Sequence, residues 1–197
     1  AGKLIQCCGH GLLASAAIYM QRQTLNSCTL KMGDSYIACH RNDHNYWLQL
    51  NRLFVRECDV PRWVTQIFRD RPQRAALAGN NNGYLILEWP ESYPLETLKA
   101  PGRDLQCFTD RALVVTVHTG SEHISFRYFA PQYGVNEDAA TGSAMRVLAD
   151  YWYQRRGYKQ LTGHQCSPEQ GLLLSRLRGE CVEVGGSVDL MEELTVT

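Results

Sequence analysis

No surplus of charge marks this sequence: 20 lysines and arginines are matched by 20 aspartates and glutamates in 197 residues. Nucleic acid, or an anionic membrane surface, is therefore offered no global attraction. No apolar run approaches the ~20 residues needed to cross a bilayer. Nor does a basic stretch leading into an apolar one open the chain. These absences point to a soluble, non-secreted cytoplasmic protein with neither nucleic-acid nor membrane partners. Closely spaced cysteines are lacking too. Cys7, Cys8, Cys28, Cys39, Cys58, Cys107, Cys166 and Cys181 are scattered, with no Cys-x-x-Cys pair. That argues against a zinc site or a disulfide framework and leaves reduced thiols. His40 and His44 stand four apart, but Asn42 and Asp43 between them favour a turn, so no metal site is expected.

What is present suffices for a core: 44% of residues are hydrophobic, and the length fits one large domain or two small ones. A strand over residues 3–8 leads into the turn Gly9-His10-Gly11 and a helix over 12–21, apolar on most sides and therefore expected to be buried. Strands follow at 28–32, 36–39 and 46–50, the first two joined by the hairpin signal Gly33-Asp34. A short helix is expected at 61–69, with Pro61 near its first turn. Strands at 75–78, 84–89, 112–119 and 124–129 come next, with a short helix between 92 and 107. A second long helix runs from Ser143 to about Arg156 and stops at Gly157. Short strands at 171–176, 181–184 and 193–196 follow. Mostly antiparallel strands with two well-separated helices make an α+β protein. The two helices are alike, for each follows a glycine-containing turn. They end in Tyr19-Met20-Gln21-Arg22 and Trp152-Tyr153-Gln154-Arg155, which suggests a duplicated strand–turn–helix unit.

The chemistry concentrates in the segment from Phe129 to Ala144. Apolar residues recur at Ala144, Val147, Leu148, Tyr151 and Trp152, so the turn from Ala139 to Ser143 begins a helix that Thr141 or Ser143 can cap. Backbone N–H groups at such a start carry a partial positive charge and suit a carboxylate or phosphate. Asp138 stands just outside, placed to move a proton or to hold an amine or hydroxyl. Glu137-Asp138 can equally be acids that simply stabilise a helix start. His10, between two glycines at the other helix start, can exchange a proton near neutral pH or serve only as a packing residue. Cys8 can be a thiolate favoured by the helix dipole or an inert thiol. The loop from Gly79 to Gly83 reads as a plain turn able to offer amides. The basic stretch Arg69 to Arg74 reads as solvated surface, and Tyr151-Trp152-Tyr153 as packing.

The run from Arg127 to Ala144, Arg-Tyr-Phe-Ala-Pro-Gln-Tyr-Gly-Val-Asn-Glu-Asp-Ala-Ala-Thr-Gly-Ser-Ala, closely resembles the signature of the phenazine-biosynthesis (PhzF-like) isomerase family. Cys8-Gly9-His10-Gly11-Leu12-Leu13-Ala14-Ser15-Ala16 resembles that family's earlier Gly-His motif. Gln170-Gly171 with Ser175-Arg176, and the stretch Val182 to Gly186, resemble its later strands. The resemblance implies the diaminopimelate-epimerase-like fold: two pseudo-symmetric halves, here 1–70 (incomplete) and 71–197, each a barrel-like sheet around a central helix. It also implies a cofactor-free, homodimeric isomerase acting on a small carboxylated molecule. His10 and Asp138 would be catalytic, and Gly9, Gly11, Thr141, Gly142 and Ser143 would bind the substrate carboxylate. The family's principal acid/base glutamate lies ahead of the Gly-His motif, and only nine residues precede His10 here. A fragment of a longer protein is therefore expected. The rival expectation is a non-catalytic metabolite-binding or interaction protein that keeps the fold. Related epimerases use two cysteines, one per turn; Cys8 matches the first place but Ala139 stands at the second, which disfavours a two-thiol racemase.

Overall fold

The computed structural model describes residues 9–42 and 44–189. The strands expected at 3–8 and 193–196, and Cys7 and Cys8, lie outside them. Helix α1 (Gly9–Arg22) precedes a meander of β1 (Ser27–Met32), β2 (Ser35–Asn42) and β3 (Asn45–Asn51). Gly33, at φ +59°, makes the tight β1–β2 turn that Gly33-Asp34 signalled, with Met32 paired to Ser35. Next come β4 (Val55–Cys58), the one-turn helix α2 (Val64–Ile67), β5 (Arg74–Ala78), β6 (Tyr84–Glu88), β7 (Ala112–Gly120) and β8 (His123–Phe129). The expected helix between 92 and 107 is two 3₁₀ segments, Leu95–Thr97 and Gly102–Cys107. Helix α3 (Gly142–Arg156) precedes a second meander, β9 (Gln160–Gln165), β10 (Gly171–Arg178) and β11 (Cys181–Ser187).

Among the described residues eleven strands form one sheet in the order β1-β2-β3-β11-β10-β9-β8-β7-β6-β5-β4. Of these, only β6–β7 and β8–β9 pair in parallel. α1 and α3 are thus each followed by a three-stranded meander, and the two meanders join at their last strands, where Asn51 pairs with Cys181 and Asn45 with Ser187. This is the diaminopimelate-epimerase-like α+β fold.

One face of the sheet packs on both helices, with Leu48, Val184, Phe126, Val114 and Ile86 meeting Met20 of α1 and Met145, Leu148 and Trp152 of α3. The opposite face of β5–β8 carries a second core, where Leu87, Trp89, Val115 and Phe129 pack under Phe68, Leu95 and Leu105. β7 is therefore buried on both faces along most of its length. The helices differ in cover. α3 buries eight residues, as expected, and ends where Gly157 at φ +75° turns its N–H to Tyr153 O at 2.8 Å. α1 was expected to be buried but hides only Ala16, Ala17 and Met20. Ile18 and Tyr19 are 38% and 50% exposed, because the first meander covers one side of this helix alone. The six cysteines among the described residues are unpaired. No helix among those residues is long and apolar enough to cross a membrane.

Candidate functional site

α1 and α3 both begin with glycine, and the two glycines touch. A Cβ built on Gly9 would stand 3.3 Å from the Gly142 Cα, closer than side chains ordinarily pack. The expected turn Gly9-His10-Gly11 is in fact the first turn of α1. Two N-terminal dipoles, each roughly half a positive charge, therefore converge. Beside them opens a cleft of about 470 Å³ lined by Gly9, His10, Asp138, Thr141, Gly142 and Ser143. Gly11, two residues into α1, is not among its lining residues. His10 is exposed.

The segment before α3 is held tightly. Asp138 accepts from Ala139 N–H at 3.1 Å and from the Thr141 hydroxyl at 2.7 Å. Thr141 stands at the cap position, yet no side chain caps α3, because that hydroxyl is spent on Asp138 instead of the helix N–H groups. Gln165, fully buried at the end of β9, accepts from Thr141 N–H at 2.7 Å and donates to both the Asp138 carbonyl and the Thr141 hydroxyl. Ser167 donates to Ala139 O at 2.8 Å. The first helical bond runs from Met145 N–H to Thr141 O. The N–H groups of Gly142 and Ser143 stand ahead of it, the position that in any helix lacks an internal acceptor.

Glu137 takes no part in this. Arg127 grips it with two bonds of 2.6 and 2.7 Å and also donates to the carbonyls of Leu95 and Leu98, away from the cleft. Tyr128 does reach the cleft. Burial, with Tyr84, Asp138 and Tyr133 adding, pushes its phenol far above the usual tyrosine value, and a hydrogen bond with Ser143 opposes this only in part. It therefore stays a neutral hydroxyl beside the α3 start. The loop Gly79–Gly83, expected to be a plain turn, contributes Gly79, Asn80, Asn82 and Gly83 to the wall. Tyr133 fastens it by donating to Asn82 O at 3.0 Å.

The family model for phenazine biosynthesis-like protein matches residues 67–189. The chain belongs to this PhzC-PhzF family. A phenazine biosynthesis-like domain-containing protein of Rattus norvegicus is 46% identical over 211 residues, covering 95% of this chain and 72% of that protein. An uncharacterized isomerase of Vibrio cholerae is 29% identical over 168 residues, which are 85% of this chain and 58% of that isomerase. The chain thus spans little over half of that relative. Among solved structures, a PhzF-family protein of Enterococcus faecalis superimposes with a TM-score of 0.79 at 20% identity, over 93% of this chain and 70% of that one. A hydroxyproline epimerase of Agrobacterium vitis shares the fold at a TM-score of 0.55 and 12% identity, over 92% and 62%.

Within this PhzC-PhzF chain, sequence reasoning singled out Gly9, His10, Asp138, Thr141, Gly142 and Ser143, which line one cleft, and the 79–83 loop as able to offer amides; it overlooked Gln165 and Tyr128. Tyr128 lay in the quoted signature, one residue from the arginine that holds Glu137. Gln165 gave no signal, because a lone glutamine in a polar stretch reads as surface.

Proposed function

We propose that this chain is the greater part of a proton-transfer isomerase acting on a small carboxylated metabolite. The observation that carries the reading is the contact of the two helix starts at Gly9 and Gly142, beside Asp138 and His10 in one cleft. The substrate carboxylate sits on the N–H groups of the helix starts. Their dipoles favour the negative charge that builds up when the adjacent carbon loses its proton. A base takes that proton, the C–H electron pair moves into the carboxylate-stabilised system, and the proton returns at another carbon. Asp138 and His10 bind the substrate's other polar group and relay the proton. Freedom from cofactors, homodimerisation, cytoplasmic residence and the division into halves 1–70 and 71–197 belong to the same proposal and rest on the family resemblance.

The test is deuterium uptake from D₂O into a panel of small carboxylates, using the full-length protein. Asp138→Ala and His10→Ala should each slow uptake by about a hundredfold or more while leaving the fold intact. Wild-type rates in both would overturn the assignment. A second reading has its own support: Asp138 is already engaged by Ala139 and Thr141, as a residue that merely locks a turn would be. On that reading the protein binds carboxylates and never exchanges their protons.

A further inference from the structure

We infer that Arg146 makes the cleft selective for ligands with two acid groups. The inference rests on reading the cleft as a carboxylate site, and adds to it the class of molecule the site prefers. Arg146 lies one turn beyond Gly142, on the same stripe of α3, and long helical side chains lean back toward the helix start. It lines the cleft together with Gly142, Ser143, Gln49 and Asn51. Among the described lining residues it is the sole lysine or arginine, and Asp138 is the sole carboxylate.

Its bonding sets it apart from the other arginines around α3. Arg52 is paired with Asp150, Arg127 with Glu137, Arg155 with Glu88 and Arg156 with Glu91. Arg146 has no acid partner among the described residues. Its Nε donates to Asn51 O at 2.6 Å, at the end of β3. That bond fixes the plane of the guanidinium by one edge, and neither terminal nitrogen has a hydrogen-bond partner among the described residues. A guanidinium held in this way presents two parallel donors, the fork that matches a carboxylate or phosphate.

The helix starts do not need this residue to hold a carboxylate, since their two half charges together balance one anion. Arg146 brings a second, complete positive charge, from the β3 side of the cleft. Asp138 is not its partner, because its oxygens are engaged by Ala139 and Thr141 and lie beyond ion-pair distance of the guanidinium. A ligand with an acid group at each end satisfies both positive features at once. A monocarboxylate leaves the Arg146 fork to water.

Glutarate and valerate share a five-carbon chain and differ in having two acid groups or one. Their dissociation constants for the wild-type protein, Arg146→Gln and Arg146→Lys are measured by titration calorimetry, with melting curves run beside them. Glutarate should bind the wild type about tenfold more tightly than valerate, as a charge-assisted contact in a partly wet site implies. Arg146→Gln should bind the two alike, with valerate within about twofold of its wild-type value. Arg146→Lys, which keeps the charge and loses the fork, should fall between. Equal binding of both ligands by the wild type, or a preference that survives in Arg146→Gln, overturns the role of Arg146 and leaves the carboxylate reading standing. Failure of both ligands to bind the wild type overturns the two together.

Discussion

Glu137 and Asp138 are adjacent in the chain and face different surroundings. Arg127, on β8, holds Glu137 in a nearly buried two-bond pair, with side chains only 8% and 12% exposed. Removing one member of such a pair leaves an uncompensated buried charge, which costs about 3 kcal/mol. Glu137→Gln should therefore lower the urea midpoint by the equivalent of about 3 kcal/mol and leave carboxylate affinity unchanged in the folded fraction. Asp138→Asn should do the opposite, because its amide oxygen can still accept from the Ala139 N–H while its amide NH2 donates to the Thr141 hydroxyl. A destabilised Asp138→Asn together with a stable Glu137→Gln would reverse the two roles. From the sequence alone both were acids ahead of a helix. The arginine that separates them sits ten residues upstream on another element, and no local pattern marks it. Gln165 was hidden for a related reason: its value lies in three hydrogen bonds to a turn that only the fold brings near.

At the scale of elements, signals with a local physical cause were legible. Gly157 and the apolar stripe gave α3 almost to the residue, and Gly33 gave the first hairpin. β9 went unseen. Its inward positions are Leu161, Gly163 and Gln165, so a glycine and a glutamine replace the apolar alternation that announces a strand. Gly163 has no side chain because Met145 Sδ and Phe126 Cε1 would stand 2.8 and 3.0 Å from its Cβ. β4 was missed as a four-residue edge strand. The seam between β3 and β11 makes a sharper demand. A Cβ on Gly185 would lie 2.3 Å from Tyr46 O and 2.8 Å from the Trp47 ring. Backbone on one side and a fully buried indole on the other leave nowhere to yield. Gly185→Ala should cost about 2 kcal/mol or more, read as a lowered urea midpoint. An unchanged midpoint would mean that the seam is looser than its contacts indicate.

Across the whole molecule, the buried Tyr151 phenol, the half-buried Tyr128 phenol and the buried Cys39 thiol set the response to alkali. Tyr151, on α3, is held neutral by burial and by donating to the carboxylate of Glu88 on β6. Tyr128 is held neutral chiefly by burial. Both therefore keep their protons well above the usual tyrosine value of 10.0. Above that pH the unfolded chain sheds these protons while the folded one retains them, so the balance moves toward unfolding. The Cys39 thiol, pushed by burial from 9.0 up to about 12, acts in the same direction from a lower pH, so stability should hold below pH 9 and decline steadily above it. The decline should be shallower in Tyr128→Phe, which lacks one of these protons. Urea titrations between pH 8 and 11 test this, and a flat profile would refute it.

The joining of the two meanders at their last strands also fixes when the cleft can exist during synthesis. β3 leaves the ribosome early, soon after α1, but its partner β11 is among the last described residues to emerge. Until then the wall made by β3 lacks the neighbour that ties it to α3, and closing so long a loop is the slow part of building such a sheet. A nascent chain can hold α1, the first meander and even α3 without a ligand site. Binding at the proposed carboxylate site would accordingly report that β11 has docked on β3, and would be silent in any chain that stops before it.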